Sequence, residues 1–209
     1  MAAVGSLKVY QIGGRTDSAG AAQPDTDQEE LRLIVGSLLR PGLLPNTLDQ
    51  TPNPSGFNVR QNTGADMNVK IGSTTSKADA YVLRGGTAGQ GSYIIRLDST
   101  GLVVAVPAAD PTNPARYGVY LFVDDAAYSG DASRAYAGIS CIRGTPAGSP
   151  TTPGPLAVWS ASALLWEFQL AASATAVTNS ILDTPATGLD RRTTADLLPQ
   201  NLLETQVFL

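Results

Sequence analysis

Residues Ala108 to Pro155 read AADPTNPARYGVYLFVDDAAYSGDASRAYAGISCIRGTPAGSPTTPGP, and this stretch decides the fold. Two runs rich in aromatic and aliphatic residues, Arg116 to Asp124 and Ala135 to Arg143, read as strands, with turn chemistry before the first at Asp110-Pro111. The exit, Gly144 to Pro155, contains Pro146, Pro150, Pro153 and Pro155. Proline has no amide proton, so this segment cannot donate regularly to a sheet and is expected to run as an extended, stiff crossover.

Working outward, the two-residue period recurs upstream. Met67, Val69 and Ile71 alternate with Asn68 and Lys70, which places the apolar side chains on one face of a strand. Ala78 to Arg84, Ser92 to Leu97 and Leu102 to Val106 are further strands, separated by Gly85-Gly86, Gly89 to Gly91 and Ser99-Thr100-Gly101. Short, evenly spaced strands without helices between them imply a mainly β fold, an antiparallel β-sandwich or small barrel. Downstream, Leu156 to Leu170 fits helix and strand alike.

One short N-terminal helix is expected. Thr26-Asp27-Gln28-Glu29 reads as a capping box, Leu31, Ile34, Val35, Leu38 and Leu39 follow at helical spacing, and Pro41-Gly42 ends the run. Before it, residues 1–25 form a Gly-, Ala- and Ser-rich arm with an apolar patch at Leu7, Val9, Tyr10 and Ile12, either a disordered leader or an arm that orders on a neighbour. The expected organisation is thus the arm 1–25, helix and turn 26–56, a β-rich domain 57–188, and a C-terminal docking tail 189–209. That tail carries Leu197, Leu198, Leu202, Leu203, Val207 and Phe208, much apolar area for a free end.

The order of turns and strands in Ala108 to Pro155 resembles a domain of minor tail and baseplate or fibre proteins of tailed bacteriophages, of the actinobacteriophage kind. The resemblance lies in Pro107 to Asp110, the turn Pro111 to Arg116, the strand Tyr117 to Asp124, the loop Tyr128 to Gly130, the strand Ala135 to Arg143 and the crossover Gly144 to Pro155. It extends more loosely over Thr26 to Arg192, and it implies strands near Trp166 to Leu170 and Val177 to Leu182. One position departs: many relatives carry an acid two places after the arginine, where this chain has Gly118. The resemblance therefore carries no salt bridge at that place.

Composition bounds the function. Only 15% of residues are charged, against about 25% in ordinary globular proteins, while Gly and Pro are plentiful. A net charge of −4 with scattered basic residues argues against nucleic-acid binding. No apolar run is long enough for a membrane span, and the N-terminus lacks the pattern of a secretory signal, so synthesis in a host cytoplasm is expected. Cys141 is the single cysteine, which excludes an intrachain disulfide and a multi-cysteine zinc site.

No residue pattern selects a reaction. The chain has no histidine, so Ser-His-Asp and Cys-His hydrolases are excluded. Gly138-Ile139-Ser140-Cys141-Ile142 begins like a nucleophile elbow but has Ile142 where the second glycine belongs. The glycines from Gly85 to Gly91 lack the Gly-Lys-Ser/Thr of a phosphate cradle and read as a hairpin loop. Asp124, Asp125 and Asp131 offer oxygen ligands for calcium without EF-hand spacing, and Asp98 and Asp110 sit in no motif that would make them a carboxylate pair. Trp159, Trp166, Phe168, Tyr117, Tyr120, Phe122, Tyr128 and Tyr136 read as core and subunit packing, with sugar stacking as the sharper alternative.

The expectation is a structural virion protein without enzymatic activity or cofactor. As the resemblance implies, it would sit in the phage tail, self-associate, as a trimer by preference, and dock onto other tail or baseplate proteins. The assembly residues would be Leu31, Ile34, Val35 and Leu38 on the helix and Leu197, Leu198, Leu202, Leu203, Val207 and Phe208 in the tail. The alternatives are a carbohydrate-binding module that reads a host surface glycan and a head decoration protein. Nucleic acid and membrane insertion are not expected.

Overall fold

A computed structural model of the chain describes residues 7–10, 38–44, 56–72, 79–86, 91–97, 101–125 and 135–195. Its strands are β1 (Leu7–Tyr10), β2 (Gly42–Leu43), β3 (Val59–Gln61), β4 (Asn68–Ile71), β5 (Asp79–Arg84), β6 (Ser92–Leu97), β7 (Leu102–Ala105), β8 (Ala115–Asp125), β9 (Ala135–Arg143), β10 (Ala161–Leu170) and β11 (Gly188–Asp190), with one helical turn, α1 (Asn179–Leu182). They form three sheets: sheet I in the order β1-β6-β5-β2, sheet II in the order β11-β10-β8-β9, and sheet III in the order β3-β4-β7. All neighbours within the sheets pair antiparallel, and among the described residues no barrel closes.

The mainly β reading holds strand by strand. β6 and β9 have the bounds the sequence implied, and β4, β5, β7 and β8 differ by a residue at their ends. The Gly85–Gly91 stretch closes the β5–β6 hairpin, where the Gly85 N–H bonds the Gly91 carbonyl at 2.8 Å. One apolar cluster draws on all three sheets. In β8 it takes Ala115, Tyr117, Val119, Leu121 and Val123, each worth up to about 1.5–3 kcal/mol for the larger side chains. Tyr117 stacks on Phe168 of β10 with 5.3 Å between ring centroids.

The ambiguous segment Leu156 to Leu170 resolves into β10, and a bulge explains its mixed pattern. Pairing with β8 runs Leu164↔Tyr120, then Trp166↔Val119, so Leu165 is the extra residue. Ala161, Ala163 and Leu165 face the core before the bulge, and Trp166, Phe168 and Leu170 after it. A plain alternation would have sent the second set outward.

One expectation is corrected. Val177 to Leu182 is not a strand: a period of two would have put Asn179 beside Val177 on the core face. Instead the Thr178 carbonyl accepts the N–H groups of Ile181 and Leu182, so Val177 and Leu182 are buried and Asn179 is exposed. Gly42, expected to lie just beyond a helix end, opens β2 against Val82. Its φ of +149° and the Thr194 backbone 2.5 Å from where a Cβ would stand explain the glycine.

Leu7, Val9 and Tyr10 of the N-terminal apolar patch lie in β1, which pairs with β6 of the same chain, and Ile12 lies outside the described residues. Of the expected tail Leu189 to Leu209, residues 191–195 run on from β11 to lie beside β2, with Leu43 N–H to Thr193 O and Ala195 N–H to Leu43 O both at 2.7 Å. Residues 196–209 lie outside the described residues, as does the expected helix apart from its end.

Candidate functional site

Strand alternation gives sheet II a second, outward face. On β8 it carries Arg116, Gly118, Tyr120, Phe122 and Asp124, the residues between those of the core. Two glycines make room for flat rings there. A Cβ on Gly118 would stand 2.6 Å from Tyr120 Cε2, and one on Gly138 of β9 would stand 2.5 Å from Phe122 Cζ. Trp159 closes over both rings, stacked on Phe122 at 4.3 Å and 5° and tilted against Tyr120 at 5.8 Å.

Trp159 arrives there because the proline-rich segment does not leave the sheet. The Gly144 N–H bonds Arg116 O at 2.7 Å and the Ala147 N–H bonds Pro114 O at 3.1 Å, after which the chain folds back over the outward face. Tyr120 donates its hydroxyl to the Pro153 carbonyl, and Thr152 donates to Glu167 Oε2 at 2.8 Å. Trp159 N–H then bonds Leu156 O at 3.1 Å, a turn that leaves Leu156 47% and Val158 52% exposed. The result is an apolar crest on a firmly held strap. Leu189 of β11, paired opposite Glu167 on the same face, is also exposed.

Glu167 is the polar centre of this face. It is buried, with Arg191 at 2.8 Å, Arg116 at 3.4 Å and the Thr152 hydroxyl around it. Burial pushes its carboxyl up, but the hydrogen bonds from Arg191 and Thr152 and the two positive charges outweigh it and hold it below its ordinary value. Arg116 thus finds its acid across the sheet in β10, where Gly118 supplies none on its own strand. The next residue after Arg191 turns the other way: Arg192 lies 5.5 Å over the Trp166 ring and is held by Asp190 and the Gly56 carbonyl.

The other sequence candidates fall into structural places. Ser140 and Cys141 lie mid-strand in β9, not on a strand-to-helix turn; Cys141 faces the core and burial pushes its thiol well up. Asp125 is buried at the end of β8, accepting the Tyr93 hydroxyl at 2.7 Å, while its N–H bonds Ser160 Oγ at 2.9 Å. Asp124 is buried beside it, and Asp131 lies outside the described residues. Among the described residues no three acids, cysteines or histidines gather as a metal cage. Asp110 caps its turn by accepting the N–H groups of Asn113 and Thr112, which hold its carboxyl down; Asp98 lies outside the described residues.

Tyr117, Tyr120, Phe122, Trp166 and Phe168 are all buried, and Trp159 is half-buried. The side chains of Tyr128 and Tyr136 lie outside the described residues, as do Leu31, Ile34, Val35, Leu197, Leu198, Leu202, Leu203, Val207 and Phe208. Leu38 is 44% exposed. Sequence reading missed Glu167, though a lone acid within ASALLWEFQL is a usable signal, because a buried charge in an apolar strand requires partners. Comparison with family models, characterised proteins and solved structures finds no match to this chain.

Proposed function

We propose that this chain is a structural protein of a tailed-phage virion, a minor tail or baseplate component that self-associates, as a trimer by preference, and docks onto other tail proteins. The phage assignment rests on the resemblance carried by Ala108 to Pro155. The observation that supports assembly is the crest: Leu156 and Val158 are held in water above a buried aromatic layer, on a strap fixed at Tyr120, Phe122 and Glu167. Adjacent large apolar side chains on a rigid support are the mark of a surface that a partner covers. The glycan-binding alternative needs open ring faces, and five of the six described aromatics of that set are buried.

The test is location in the particle. A tagged copy of the chain, followed by electron microscopy of purified phage, is expected at the tail, and the Leu156→Asp/Val158→Asp variant is expected to fold and fail to incorporate. A tag found on the head would overturn the tail assignment, and normal incorporation of the variant would overturn the role of the crest.

A further inference from the structure

We draw no further inference here: the strongest candidate, the exposed apolar pair Leu156 and Val158 at the turn of the strap over sheet II, belongs to the site already described, and nothing in the structure shows what covers it.

Discussion

Phe122 and Trp159 lie face to face, 4.3 Å between centroids and 5° between planes, with Gly138 beneath the phenyl ring. The three residues form a stack from sheet to strap: a glycine that admits the ring, the ring, and the indole that carries the strap. Such stacking contributes about 0.5–1.5 kcal/mol beyond area burial. Trp159→Ala is expected to lower unfolding free energy by about 2–3 kcal/mol, less than a fully buried tryptophan because the indole is half open. Gly138→Ala, whose methyl would collide with the phenyl ring, should cost about 1–3 kcal/mol. Urea unfolding monitored by tryptophan fluorescence reads both; an unchanged midpoint for either substitution would contradict the stack.

Glu167 gives stability a defined acid dependence. Burial alone would raise its carboxyl, but Arg191, Thr152 and Arg116 depress it below the ordinary 4.5. A depressed folded value means the contribution is complete above 4.5 and is lost as pH falls through the folded value. The stability difference between the native chain and Glu167→Gln should therefore shrink as pH drops from about 6 to about 3. Asp66, lowered first by the Asn68 amide, and Asp110, lowered first by the Asn113 N–H, keep some slope in the variant. Parallel pH profiles for the two proteins would show that Glu167 is not so held.

Sheets I and II are joined inside the molecule by the Tyr93 hydroxyl and Asp125, and sheet III is tied to α1 at its edge. There Gln61 and Asn179 exchange bonds, each side-chain oxygen accepting the other's backbone N–H, at 2.8 and 3.1 Å. Tyr93→Phe should cost about 1–3 kcal/mol, since it removes a buried donor from a carboxylate. Asn179→Ala should cost about 1 kcal/mol, because that pair is exposed and water can replace it. Thermal melts that rank the two substitutions in the opposite order would contradict this reading.

The strands that could be read from sequence are those whose side chains alternate without interruption. β6 and β9 have clean bounds because glycine- and proline-rich turns flank them and no bulge intervenes. β10 was ambiguous because the extra Leu165 shifts the apolar residues from one parity to the other mid-strand. β3 and β11, Val-Arg-Gln and Gly-Leu-Asp, are too short and polar to show a period, and they form only because β4 and β10 offer an edge. The outward face was the least legible part. Its centre brings together Arg116, Thr152, Glu167 and Arg191, residues that only the tertiary fold makes neighbours.

Cys141 lies on the core face of β9 with Ile139 and Ala137, and burial pushes its thiol far above the thiolate range. Ellman's reagent should leave the native protein unmodified over the time in which urea-unfolded protein reacts fully. Rapid stoichiometric labelling without denaturant would contradict this placement.

The proposed self-association through the Leu156 and Val158 crest is tested most directly by the solution mass of the full-length protein and its Leu156→Asp/Val158→Asp variant. At micromolar concentration, multi-angle light scattering is expected to give three times the chain mass of 21.6 kDa for the native protein and a single chain mass for the variant, with unchanged circular dichroism. A native protein that scatters as a 21.6 kDa monomer, or a variant that keeps the native oligomer, would contradict the account.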